Sequence, residues 1–200
     1  MKAALARFRP ALVLALVAMA ISTVTRCVLA TRPDVVLAGG AADWARVFGY
    51  GLLMDAVSAA YIVSPLVLWL ALAPKLVARS VVGRALVFGA VMAMTYGCLV
   101  LALSEWFFWD EFSARFNFIA VDYLLYTHEV LGNIWESYPV GKLLAALVLP
   151  VLLLGFLLRR LLWRRDGADA AWIPRMAVLG AYALLVGLSF RYVDSDLHKF

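Results

Sequence analysis

The run Val140–Trp163, VGKLLAALVLPVLLLGFLLRRLLW, decides the fold. From Leu143 to Leu158 it carries no charged side chain. A helix needs about 20 apolar residues to cross a bilayer, and this run supplies them. Arg159, Arg160 and Trp163 close it with the basic and aromatic residues that favour a membrane–water interface. Pro150 lies inside the run, where neighbouring helices can cover the carbonyls that a kink frees.

Four further runs have the same character: Pro10–Ala30, Phe48–Ala73, Ala85–Trp109 and Pro174–Tyr192. Pro10 and Pro174 stand at helix starts, where a missing N–H costs nothing, while Pro65 falls inside a span. The composition agrees. The chain is 66% hydrophobic and 16% charged, whereas a soluble domain is roughly 45–50% apolar and about a quarter charged. Its mean hydropathy is +0.92. The expected fold is therefore an all-α integral membrane bundle of five transmembrane helices, occupying residues 1–200, with an amphipathic helix on the outer surface.

The net charge of +5 does not indicate nucleic acid, because the basic residues gather at the ends of the apolar runs. With the N-terminus in the cytoplasm, the inner segments hold Lys2, Arg7, Arg9, Lys75, Arg79, Arg84, Arg159, Arg160, Arg164, Arg165 and Arg175. Only Asp166 and Asp169 are acidic there. This positive-inside pattern predicts a multi-pass membrane protein with its C-terminus, Asp194–Phe200, outside. Ala11–Ala30 is too long for the apolar region of a signal peptide, about 7–15 residues, and reads as a retained first helix. Cys27 and Cys98 lie in apolar runs, outside any CxxC or Cys/His cluster, and read as small buried hydrophobes.

Upstream of the deciding run lies Glu105–Pro139, EWFFWDEFSARFNFIAVDYLLYTHEVLGNIWESYP. It concentrates Glu105, Asp110, Glu111, Asp122, Glu129 and Glu136 between two apolar stretches. Read as a helix over 118–136, it puts Asp122, Tyr126, Glu129, Asn133 and Glu136 on one polar stripe. Val121, Leu124, His128, Leu131 and Trp135 form the opposite face, so the helix is expected to lie along the outer membrane surface. It is either a platform for a lipid headgroup or soluble domain, or a solvated connector. Asp122, Glu129 and Glu136 are two turns apart, about 10.5 Å between successive Cα atoms at about 1.5 Å rise per residue. Metal–oxygen bonds run to about 2.0–2.6 Å, so these three cannot share one ion. The same spacing argues against a paired-carboxylate hydrolase.

Asp55 lies roughly two turns inside the second run, followed by Ser58, Tyr61 and Ser64. An acid at membrane depth needs a partner, and Arg26 near the outer end of the first span is the candidate. The pair is either a helix–helix tie or part of a substrate or proton site. GxSxG, GxGxxG and a phosphate-cradling Gly-rich loop are absent, and Gly39-Gly40 reads as a turn.

Part of the chain resembles the membrane part of the lipoteichoic acid synthase-like phosphoglycerol transferases, of the alkaline phosphatase/sulfatase superfamily. The resemblance is carried by Glu111, Arg115, Phe116-Asn117-Phe118-Ile119, Val121-Asp122-Tyr123-Leu124, Glu129-Val130, Gly132-Asn133-Ile134 and Glu136-Ser137-Tyr138-Pro139. Gly51-Leu52, Asp55, Tyr61 and Pro65 are similar to the family's second span, although Leu53 and Met54 stand where relatives often have a basic residue. The resemblance implies a protein of the bacterial cytoplasmic membrane, with five spans followed by an extracytoplasmic sulfatase-like domain that carries a threonine nucleophile and a divalent metal, usually manganese. None of those catalytic motifs occurs in this sequence, so no catalytic, cofactor or metal residue is assigned and the chain is expected to be catalytically incomplete. It implies a phosphatidylglycerol-like lipid partner, and a headgroup or domain-docking role for Arg115, Asn117, Asp122, Glu129, Asn133 and Glu136. The alternative is a non-enzymatic five-span scaffold or small transporter.

Overall fold

A computed structural model of the chain describes residues 2–32, 35, 40–113, 115, 132, 134–164 and 167–192. The elements are α1 (Lys2–Arg7), α2 (Arg9–Ala30), α3 (Ala41–Leu72), α4 (Lys75–Arg79), α5 (Val81–Phe112), α6 (Val140–Leu162) and α7 (Trp172–Tyr192). No strand occurs among the described residues. The helices α2, α3, α5, α6 and α7 are long and apolar enough to cross a membrane, as in a multi-pass membrane protein. The fold is an all-α bundle.

Two helices exceed the predicted spans. The helix α3 begins at Ala41 rather than Phe48, so the amphipathic piece 41–48 forms the span's own first turns. Gly40 makes the entry turn at φ 62°, Asp43 suits the positive end of the helix, and no proline interrupts the chain before Pro65. The helix α5 runs on to Phe112, and Ser113, in the left-handed region at φ 48°, ends it. Glu105 and Asp110 are therefore helical residues. Each of these helices has 32 residues. At about 1.5 Å per residue that is about 48 Å, beyond the hydrocarbon thickness of about 30 Å, so they project or tilt.

At the other end of α5, Ser80 is the N-cap. Its Oγ accepts from Gly83 N at 2.9 Å and donates to Val77 O at 2.7 Å, fastening α4 to α5. Ser80→Ala is expected to cost about 1 kcal/mol, measured as a lowered denaturation midpoint in detergent. An unchanged midpoint would show that the cap is dispensable.

The centre of the bundle is α2, packed against α3 and α5; α6 packs on α5, and α7 on α3. The larger core side chains gather toward the end that carries Phe8: Leu14, Leu66, Leu70, Val91 and Leu162 are buried there. Farther along, the contact narrows to Ala18, Ala59 and Cys98, small residues that bring helix backbones close. Cys27, unlike Cys98, is exposed, which corrects its assignment as a buried hydrophobe: position 27 lies on the outer side of α2. Leu149, Leu152, Leu153, Phe156 and Leu157 form an exposed apolar face on α6. A soluble monomer rarely shows such a face; in a bilayer it meets lipid.

The basic end is closed by a clamp. Pro74 has no N–H to offer Leu70 O four residues back. Arg7 Nε donates to that carbonyl at 2.5 Å, Nη2 donates to Ala73 O at 2.5 Å, and Nη1 donates to Ala168 O at 3.2 Å. Arg175 Nη1 also donates to Ala73 O, at 2.9 Å. Two buried guanidinium groups thus cap the negative end of α3. Burial, and secondly the charge of Arg175, pull the pKa of Arg7 down to about 10, so it stays charged at neutral pH.

The hydroxyls after Asp55 tie helices together. Tyr61 OH bonds Ser189 Oγ at 2.8 Å, and Ser64 Oγ bonds Tyr182 OH at 2.8 Å. Tyr182 OH also donates to Ala60 O, one turn before Pro65. The helix α7, little buried by apolar packing, is thereby fastened to α3 by polar contacts.

Candidate functional site

A polar site occupies the end of the bundle away from Arg7. Ser22 and Arg26 stand one turn apart on α2, and Gly51 and Asp55 one turn apart on antiparallel α3. Arg26 Nη2 donates to both Asp55 carboxylate oxygens at 2.8 Å, and Ser22 Oγ donates to Oδ1 at 2.6 Å. The pair is deeply buried, with 4% and 6% of the two side chains exposed. Gly51 gives the guanidinium its room: a Cβ there would overlap Arg26 Cζ and Nε and come within 2.5 Å of Nη2. Among the described residues Arg26 Nη1 finds no hydrogen-bond partner, so this nitrogen of the network remains unused.

Beside this pair, α2, α3 and α5 part to leave a cleft of about 160 Å³. Its polar lining is Ser22, Thr25, Asp55, Ser58 and Glu105; Ala18, Ala59 and Ala102 contribute little bulk. Glu105 is mostly buried and chelated by Arg115, whose Nε reaches Oε1 at 2.5 Å and Nη2 reaches Oε2 at 3.2 Å. Nearby on the same helix, Asp110 is paired with Arg32, whose guanidinium lies 4.1 Å from the centre of the Trp106 ring. Three arginines from outside α5 thus meet three carboxylates at this end.

Of the residues singled out from the sequence, the structure brings Arg26 and Asp55 together and places Arg115 at the cleft rim on Glu105. It does not bring Glu136 to the cleft; that residue is exposed in the helical turn 134–137. Asn117, Asp122, Glu129 and Asn133, and most of the predicted helix 118–136, lie outside the described residues. Sequence reasoning missed Ser22, Gly51 and Glu105 as neighbours of the pair. The signal was available for the first two: each precedes its charged residue by four positions, on the same helix face. Nothing local marked Glu105, because its place depends on how α5 crosses α2. Among the described residues, no group of three or more His, Cys, Asp or Glu side chains gathers as a metal site. The arrangement can accept hydroxyl donors at Asp55 and Glu105 and offer hydroxyls from Ser22, Thr25 and Ser58.

No protein-family model, curated protein or solved structure matches the chain.

Proposed function

We propose that this chain is the membrane domain of a lipoteichoic acid synthase-like phosphoglycerol transferase. It would hold an extracytoplasmic sulfatase-like domain and a phosphatidylglycerol-like lipid at the outer leaflet of a bacterial cytoplasmic membrane. The observation that carries the reading is the half-buried polar cleft beside Asp55, with Arg115 anchored on its Glu105 rim. Arg115 is one of the residues that carry the resemblance, so the resembling segment touches the cleft at this point. A polar headgroup at the cleft mouth would meet carboxylates and hydroxyls while its acyl chains stayed against the bundle. Anchoring an enzyme beside its lipid raises the effective concentration of the reacting groups. The divalent metal and nucleophile of the family belong to the other domain, and no residue of this chain is assigned to them.

The test uses the native gene product in membranes containing phosphatidylglycerol. Phosphoglycerol transfer should be measurable, and alanine at Asp122 and Glu129 should lower turnover about tenfold at equal expression, through misplacement rather than lost chemistry. Absence of transfer, or turnover untouched by both substitutions, would sink the reading. Of the alternatives, the small transporter is weakened by the Arg26–Asp55 pair, whose charges cancel across two helices instead of leaving an open carboxylate for an ion path, and the scaffold is distinguished by the transfer assay.

A further inference from the structure

The cleft between α2, α3 and α5 is polar at one end and apolar at the other. On α2, Ser22 and Thr25 lie toward the end of the bundle, and Ala18 lies deeper. On antiparallel α3, Asp55 and Ser58 lie toward the same end, and Ala59 and Ile62 deeper. On α5, Glu105 stands at the end, with Leu101 and Cys98 following inward. Three helices thus repeat one gradient, from hydrogen-bonding groups to apolar ones. Both α3 and α5 pack on α2 and hardly on each other. Ser58 is exposed and Leu101 is 57% exposed, both within membrane-spanning helices. The cleft therefore opens sideways, between α3 and α5, onto the surface that meets lipid.

Its hydrogen-bonding capacity is only partly used. A carboxylate has about four acceptor positions. Asp55 accepts once from Ser22 and twice from Arg26, and Glu105 accepts twice from Arg115. Ser58 Oγ has no partner among the described residues. No lysine or arginine lines the cleft among the described residues, and Arg26 and Arg115 are held on its two carboxylates. A hydroxyl can donate to these oxygens. A phosphate in the cleft would face them with no cation to bond it, and an anion so placed is costly.

We propose that this cleft binds an uncharged lipid alcohol. The hydroxyl head sits among Asp55, Ser58 and Glu105, and the alkyl chain leaves between α3 and α5 past Ile62 and Leu101. The volume of about 160 Å³ has room for a small polyol head and no whole lipid. The gradient matches the orientation of a lipid in that leaflet, with its head toward the water and its chain toward the bilayer centre. A water-soluble polyol would have no use for the apolar half. The phosphate of a larger headgroup can come no deeper than the mouth. Binding is a property of this chain alone and is measured without the transferase activity proposed above.

Native mass spectrometry of the delipidated chain tests it with three lipids that share one oleoyl chain. Monoolein has two hydroxyls, methyl oleate has none, and oleoyl lysophosphatidic acid replaces one hydroxyl of monoolein by a phosphate. Monoolein should be retained about tenfold more strongly than either of the others. Equal retention of monoolein and methyl oleate, or of monoolein and lysophosphatidic acid, would overturn the proposal without any variant. Ala102→Leu, which fills the cleft, should abolish the preference, while Ala93→Leu, on the exposed side of the same helix, should keep it. Ser58→Ala, at an exposed position without a partner, folds independently of the cleft's filling and should lower monoolein retention about threefold. An unchanged preference in Ala102→Leu or in Ser58→Ala, or an equal loss in Ala93→Leu, would overturn the site. Excess free glycerol should leave monoolein bound; displacement would keep the hydroxyl chemistry and overturn its assignment to a lipid.

Discussion

Replacing Asp55 with alanine should destabilise the bundle by about 3–5 kcal/mol, the cost of leaving a buried partner charged and alone. Arg26 cannot turn to water, because the pair is packed between α2 and α3 with Gly51 against its guanidinium. Ser22 would lose its acceptor in the same step. Unfolding in mixed micelles of denaturing and mild detergent measures the loss. The double replacement Arg26→Leu, Asp55→Leu should recover most of it, since two apolar residues leave no orphaned charge. Gly51→Ala should act in the same direction as Asp55→Ala by displacing the guanidinium. A loss of less than about 0.5 kcal/mol for Asp55→Ala, the size of an ordinary surface change, would mean that the pair ties nothing.

The second large effect is expected at Gly167→Ala. Gly167 sits at φ 86°, and an added Cβ would lie 2.5 Å from Ala3 O and 2.8 Å from Arg7 Cα. Both contacts are with backbone, so no side chain can swing aside. A left-handed conformation costs an L-residue about 1–2 kcal/mol, and overpacking typically adds about 1–3 kcal/mol. The clash pushes α1 away and takes Arg7 from the carbonyls of Leu70 and Ala73. A fall of about 2–5 kcal/mol in unfolding free energy is the expected result. Gly180→Ala is the control: nothing lies within 4 Å of its Cβ position, and alanine is the better helix former. Equal effects at the two glycines would contradict the close approach of Gly167 to α1.

The candidate site was legible in proportion to how local its signals are. Asp55 stood out because an acid inside an apolar run is costly wherever the helix goes, and Arg26 was the basic residue at matching depth. Ser22 and Gly51 were within reach of the same argument through the helical repeat. Glu105 was not, because its approach to the cleft depends on the crossing of α5 over α2 and on Arg115 folding back across ten residues. The clamp of Arg7 on α3 was equally hidden. Pro74 announces an unsatisfied carbonyl at Leu70, but sequence cannot say which donor, 63 residues away, will supply the bond.

Hydropathy alone was enough for an all-α membrane protein with five spans, because spanning is a requirement on each segment separately. A bilayer demands about 20 apolar residues from every helix, whatever its neighbours do. The helix limits at Ala41 and Phe112 were missed, since polar turns that project from a bilayer can continue a helix as readily as end it. Which helix stands in the middle, which arginine meets a carboxylate and which meets carbonyls belonged to the packing. Those outcomes depend on close approaches such as Gly51 to Arg26 and Gly167 to Arg7, contacts between residues far apart along the chain. Arginines that composition cannot tell apart thus became partners of carboxylates at one end and of backbone carbonyls at the other.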